Sequence, residues 1–439
     1  MPTRPETLRA AIGGDGKLCG RHHTVSLAAM GRALDADLSG ARVLLRTRDQ
    51  LFAALALIEL DGVAARIVIA PPDVKPEHLP SVVERAAVDV VVSEDPALAV
   101  EGTRFEQLHL PKDGSAVAPS RQSEWVLFTS GTTGVPKMVA HSLEGLSGAI
   151  QPAASNDIVW GTFYDIRRYG GLQILLRALL GKASLILSDA DEKVGDFLSR
   201  LGRHGVTHLT GTPSHWRRAL MSPANSQIAP RYVRLSGEIA DQAILDSLKA
   251  RFPDAAMGHA YASTEAGVGF EVTDGMEGFP ASYIGRPGPV EMKVEGGTLH
   301  LRSPRTASEY VGGGTLKNDG WVDTGDMVER RDERYYFAGR TGGIINVGGL
   351  KINPEEVEAV INRYPGVRMS RVSGRKNPIT GAIVIAEVVL IDSANDNAGF
   401  KQAILEACRE KLPAFKVPAM LRFVPALELT AGGKLSRHA

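Results

Sequence analysis

The sequence predicts an α/β protein: a large N-terminal region of parallel α/β sheets with a β-rich subdomain, then a small α+β unit. Three observations predict it. Short β-branched runs alternate with helical runs from Ala41 to Ala262. Antiparallel hairpin patterns replace that rhythm beyond Gly285. A glycine-rich segment, GRTGGIINVGG, then opens a last unit of about a hundred residues, typical of a small domain.

ARVLLRT (Ala41 to Thr47) reads as a strand, and Gln50 to Leu60 as a helix. ARIVIA is a strand, PSVVERAA a helix, and VDVVVSE a strand again. This βαβαβ order needs crossover connections, so the strands run parallel with both faces covered. WVLFTSG carries a strand directly into a glycine-rich loop. Gly171 to Leu180 is helical and Gly181 ends it. ASLILS, VTHLTGTP, YVRLSG and AMGHAYA continue the series of buried strands. EMKVEGGTLHLRS then reads as a hairpin turning at Gly296–Gly297, and DMVERRDERYYFAGR as a second one turning near Asp332–Glu333. Asn353 suits a helix N-cap, Pro354 its first position, and Glu355 and Glu356 its positive end. GAIVIAEVVLI is a strand and Phe400 to Leu412 a helix. The domains predicted are 1–339 and 340–439, with the joint at Arg340.

The 439 residues include 50 basic and 50 acidic side chains, so the formal net charge is zero. That balance argues against a protein that coats nucleic acid. Apolar residues make up 44% and charged residues 23%, an ordinary globular composition rather than that of a disordered or fibrous chain. Cys19 and Cys408 stand far apart, which predicts two reduced thiols and no zinc or redox pair. The N-terminus lacks the apolar core of a signal peptide, and charge interrupts every apolar run well short of the ~20 residues that span a bilayer. A cytoplasmic protein without a membrane span is expected.

The strongest local signal is TSGTTGVPK, Thr129 to Lys137. Glycines let backbone approach an anion, and consecutive N–H groups form a nest for it. Ser130, Thr132 and Thr133 add hydroxyl donors, and Lys137 adds a cation suited to polyphosphate. The spacing of Gly131, Gly134 and Lys137 does not fit the GxxxxGK[ST] phosphate loop.

Together with four further segments in order, this loop resembles the adenylate-forming superfamily of acyl- and aryl-CoA synthetases, peptide-synthetase adenylation domains and luciferases. YASTE (Tyr261 to Glu265) is similar to that family's YGxTE. GWVDTGD (Gly320 to Asp326) is similar to [YW]xTGD. GRTGGIINVGGLKINPEEVE (Gly339 to Glu358) resembles the hinge, and LTAGGKLSR (Leu429 to Arg437) the C-terminal GK motif. The resemblance spans Trp125 to Arg437 and implies a C-terminal domain that moves as a lid.

It implies these roles. Thr129, Ser130, Gly131, Thr132, Thr133, Gly134 and Lys137 cradle the ATP phosphates. Asp326 takes the ribose hydroxyls, a pair of charge-assisted bonds that a carboxylate at a strand end can make. Arg340 touches ribose or phosphate. Thr264 donates to the α-phosphate, and Glu265 holds Mg²⁺, a hard cation that takes oxygen ligands. Tyr261 stacks on the adenine, with Gly237 and Glu238 beside it. Lys434 enters the active site from the lid and pairs with the substrate carboxylate and the α-phosphate. Gly348 and Gly349 let a pantetheine arm approach the backbone, or simply form a tight turn.

The implied activity is ATP-dependent ligation of a carboxylic acid to coenzyme A through an acyl-adenylate. A separate carrier protein's phosphopantetheine is the alternative acceptor, and a non-catalytic nucleotide-binding relative a third reading. Tyr169 and Gly170 resemble the aromatic–glycine segment of aryl-CoA ligases, whereas Asp165 would suit an amino-acid substrate. Arg167 and Arg168 would meet a second acidic group or lie on the surface. An aromatic or other compact acid is expected. Two departures stand out: Gly342 occupies the usual Asp or Lys hinge position, and Ala262 stands where the family has glycine.

Overall fold

The structure is a computed structural model that describes residues 6–28, 30–129, 136–151, 157–316, 319–377, 381–392, 396–430 and 432–436. Two eight-stranded sheets form its bulk. In one, Arg42–Arg46, Arg66–Ala70, Val90–Ser93, Arg104–Lys112 and Glu124–Phe128 run parallel, and three antiparallel strands complete the edges. In the other, Lys17–Cys19, Ser184–Leu187, Val159–Thr162, His208–Gly211, Tyr232–Ser236 and Ala256–Ser263 run parallel between antiparallel edges.

The single series of strands expected from the sequence thus divides into two sheets. Hydrophobic runs identify strands but not partners, because pairing is set by contacts distant in sequence. Lys17–Cys19 shows the point: it joins the second sheet through Leu18 opposite Leu185, far along the chain.

The helix Gln50–Leu60 starts where the Asp49 carboxylate accepts from Leu51 N at 2.7 Å. Ten of its eleven residues are buried. A helix apolar all round belongs inside, and this one shares a core with Leu45 and Ile69 of the first sheet and Leu185 and Leu187 of the second. The helix Tyr169–Leu180 enters the same core and ends at Gly181.

Both predicted hairpins form, Glu291–Glu295 with Thr298–Arg302 and Val322–Arg331 with Arg334–Arg340. They build an antiparallel five-stranded sheet. Beyond it, the helices Pro354–Asn362 and Ala398–Lys411 pack with the strands Val367–Asn377, Gly381–Leu390 and Met420–Phe423. This unit has its own core, including Ile352, Val357, Val388, Ile404 and Cys408. Asn353 stands at the N-cap as expected, but its side chain makes no capping bond. No helix among the described residues is long and apolar enough to cross a membrane.

Candidate active site

The carboxyl ends of parallel strands are where open α/β sheets present ligands. Tyr232–Ser236 ends there at Gly237 and Glu238, and Ala256–Ser263 leads there into Thr264 and Glu265. Beside them opens a pocket of about 360 Å³, lined by Glu265, Tyr310, Trp321, Thr324, Gly325 and Arg340 among others. Thr264 is fixed through its carbonyl, which accepts from His141 Nε2 at 2.8 Å. The Glu265 carbonyl accepts from Ala307 N at 2.9 Å, leaving its carboxylate on the pocket wall.

Asp326 lies opposite Arg340 in the second hairpin. Its carboxylate meets Arg340 Nε at 3.1 Å and accepts from the Tyr261 hydroxyl at 2.5 Å. Arg340 also donates to the Thr324 carbonyl at 2.8 Å. Tyr261 was expected against adenine. Its ring packs nearly parallel to Phe270 and Phe337, against the aromatic core of the hairpin sheet. Burial, reinforced by Asp326, drives its hydroxyl pKa well above the ordinary tyrosine value, so it remains a donor to that carboxylate.

Residues Ser130, Gly131, Thr132, Thr133 and Gly134 lie outside the described residues. On either side of them, Thr129 N donates to the Lys137 carbonyl at 2.9 Å. Lys137 itself is exposed, with its ammonium 5.6 Å from the centre of the Tyr310 ring on the pocket wall.

The C-terminal segment is no fraying tail. Thr430 N donates to the Lys434 carbonyl at 2.7 Å and Gly433 N to the Thr430 carbonyl at 2.8 Å, a tight turn that presents Lys434. Lys434 retains exposure as a residue, yet its Cε comes within 3.4 Å of where a Cβ on Gly237 would stand. The crowding around its ammonium lowers its pKa from the ordinary lysine value. Glu238 and Asp326 oppose that shift, and Arg340 and Arg168 add to it. Lys434, Asp326 and Arg340, drawn from distant parts of the chain, therefore share one electrostatic site.

Glu238 has partners that the sequence reading did not foresee. Its carboxylate accepts from Ser214 N at 2.9 Å and Ser214 Oγ at 3.0 Å, at the start of the helix Pro213–Met221, and from Leu435 N at 2.8 Å. It holds the lid segment. Gly348 and Gly349 form the turn between Ile345–Val347 and Leu350–Ile352, with φ of +58° and +87°. No protein atom crowds either position, so positive φ is the constraint that this chain itself places on glycine there.

The acid-pocket residues separate. Both Asp165 oxygens are taken by Arg167, at 2.8 and 2.6 Å, and Arg167 is 2% exposed and also bonds the Thr47 and Arg48 carbonyls. Asp165 is thus not free for an amine, and Arg167 is not on the surface. Arg168 pairs with Asp73. Tyr169 and Gly170 open the helix Tyr169–Leu180, with Gly170 against the Tyr164 ring.

Nearby lies a feature the sequence reading missed. Arg177 and Arg234 both lie near the Glu271 carboxylate, and the Nε atoms of both arginines lack a hydrogen-bond partner among the described residues. Burial, with Arg234 adding to it, lowers the Arg177 pKa to about 10. The signal was available, since Arg234 interrupts the buried run YVRLS.

Comparison with known proteins follows the same lines. The chain is 27% identical to the 2-succinylbenzoate–CoA ligase of Salmonella typhimurium, over 96% of this chain and 90% of that one. It is 27% identical to the enzyme of that name from Listeria innocua, over 81% and 77%. Among solved structures it resembles an anthranilate CoA ligase in complex with anthranoyl-AMP, at TM-score 0.79 and 18% identity over 99% and 96% of the two chains. It also resembles the o-succinylbenzoate CoA synthetase of Bacillus subtilis, at TM-score 0.76 and 19% identity over 99% and 97%. The family model for AMP-binding enzymes matches residues 38–311 and that for their C-terminal domain residues 356–434, so the chain belongs to the AMP-binding enzyme family.

Proposed function

We propose that this chain is an ATP-dependent ligase joining an aromatic carboxylic acid to coenzyme A. The acid's carboxylate attacks the α-phosphorus of ATP and pyrophosphate leaves in line. The CoA thiol, losing its proton, then attacks the acyl carbon and AMP leaves. The observation that carries this reading is that Lys434, packed against Gly237, lies within electrostatic reach of the Asp326–Arg340 pair, whose Arg340 lines the same pocket as Glu265. The CoA-ligase relatives favour coenzyme A over a carrier protein.

The protein's part is positioning and electrostatics. Asp326 accepts the ribose hydroxyls, held in aim by Tyr261 and Arg340. Thr264 and Lys137 serve the phosphates. Lys434 offsets the repulsion of carboxylate and α-phosphate, and its contacts strengthen as charge shifts in the transition state. A single carboxylate, Glu265, suits Mg²⁺ because that ion takes most of its ligands from phosphates and water. When bound it would neutralise charge on the departing pyrophosphate.

The surplus of buried positive charge at Arg177 and Arg234 supports an acid with a second anionic group, since an unmatched buried charge is costly. The test is acid-dependent ATP–pyrophosphate exchange with benzoate, anthranilate and 2-succinylbenzoate, followed by thioester formation on adding CoA. Lys434→Ala is expected to lose exchange by about 10²-fold or more, with an unchanged thermal midpoint. Normal exchange in that variant would sink the assignment.

A further inference from the structure

The lid segment meets the large domain at Thr212, His215 and Glu238. Thr212 and His215 open the helix Pro213–Met221 as a reciprocal cap: Thr212 Oγ1 accepts from His215 N at 3.1 Å, and His215 Nδ1 accepts from Thr212 N at 3.2 Å. Thr212 Oγ1 then has its own proton to give, and it donates to the Gly433 carbonyl at 2.7 Å. One residue further on, Leu435 N donates to Glu238 at 2.8 Å. Lys434 is therefore held by a backbone bond on each side.

The seat also fits sterically. A Cβ on Gly433 would stand 1.8 Å from the His215 ring, and Gly433 has φ of +71°. The imidazole is stacked on Phe163 at 5.5 Å, so it cannot easily yield. Its Nδ1 must accept, which requires the neutral ring, and burial pushes its pKa down to about 3. The Leu435 side chain packs against the lid's own small cluster of Met369, Val389 and Leu427, so the seat grips a segment already anchored to the lid.

We propose that Glu238, Thr212 and His215 form a receptor for the Gly433–Leu435 backbone, and that these positioning residues aim the Lys434 ammonium at the reacting carboxylate and phosphate. The receptor reads backbone rather than side chains. It rests on the assignment of Lys434 made above. Nothing in the family resemblance supplies it, because that resemblance put Glu238 beside adenine.

The experiment compares Glu238→Ala, Gly433→Ala and their double variant with the parent protein in acid-dependent pyrophosphate exchange. Each single change is expected to lower kcat about 10²-fold, the cost of misplacing a reacting group by about an ångström, while the KM for ATP moves less than about threefold. The double variant is expected to be no worse than either single one, because both break the same seat. Multiplied losses would overturn the receptor, as would a raised KM for ATP with kcat intact, which would return Glu238 to nucleotide binding. Lys434→Ala is measured alongside. If it keeps exchange, the lysine assignment fails. If it loses exchange while Glu238→Ala and Gly433→Ala keep theirs, the receptor alone fails.

Discussion

Asp61 is a buried carboxylate that accepts from Leu8 N at 2.8 Å and Trp125 Nε1 at 3.1 Å. Burial outweighs both bonds and raises its pKa from 3.8 to about 6. The folded pKa exceeds the unfolded one, so the folded state binds the extra proton. Its stabilising contribution is complete below about pH 4 and disappears as the pH rises through about 6. Asp61→Asn cannot titrate. Measured by denaturant unfolding, the parent protein is expected to gain about 1 kcal/mol on that variant between pH 7.5 and pH 5. A pH-independent difference would refute the raised pKa. Candidate positions such as Asp326, Glu265 and Lys434 were legible from their motifs, although Asp326 stands inside the strand Val322–Arg331 rather than at its end. Roles were illegible where a side chain serves a neighbour distant in sequence. Nothing in YASTE reveals Phe337 beside the Tyr261 ring, and Asp165 read as a free carboxylate because burial of Arg167 cannot be seen in DIRR.

At the scale of elements, the helix Tyr169–Leu180 begins with two glycines that look alike in sequence and differ in the fold. A Cβ on Gly171 would lie 2.2 Å from the Asp165 carbonyl oxygen and 2.7 Å from Ile166 Cα, so only glycine lets the helix close on the preceding turn. A Cβ on Gly170 would sit 3.8 Å from the Tyr164 ring, an ordinary contact. Gly171→Ala is expected to cost about 2 kcal/mol or more, since the opposing atoms are backbone and cannot swing away. Gly170→Ala is expected to be neutral or stabilising by up to ~1 kcal/mol through helix propensity. If Gly170 borders the acid, that change also raises the KM for a bulky aromatic acid. Thermal unfolding and acid kinetics of the two variants check both points, and equal destabilisation would contradict the geometry. The helix itself was readable from its apolar run and closing Gly181. Which glycine was indispensable was not, because the constraint comes from a carbonyl six residues earlier.

Across the whole molecule, hydrogen bonds and ion pairs join lid and large domain among the described residues. Arg217 donates to the Arg368 carbonyl at 3.1 Å, Asn362 donates to Asp241 at 3.2 Å, and Arg363 pairs with Glu277. The lid's apolar cluster contains residues from 345 onward, and no described residue of the large domain belongs to it. Polar contacts can be exchanged for water at little net cost, whereas a shared apolar core would have to be torn open. That is the interface a rotating lid requires, and it supports the boundary proposed at Arg340. Arg340 is exposed, is followed by Thr341, Gly342 and Gly343, and precedes the lid's own core. The glycine-rich run GRTGGIINVGG suggests the boundary from sequence, while the contacts that close the lid could not be read there, since each joins residues about 90 to 220 positions apart. Weakening them with Asn362→Ala and Arg363→Ala together is expected to speed limited trypsin cleavage after Arg340 several-fold. The effect follows from the greater population of opened lid, as cleavage tracks that population when opening is fast. A non-hydrolysable acyl-adenylate analogue is expected to restore resistance, because ligands that need Lys434 in the site bind the closed form preferentially. Cleavage elsewhere with Arg340 spared, or a rate unchanged by the double substitution, would show that the lid neither hinges there nor depends on these contacts.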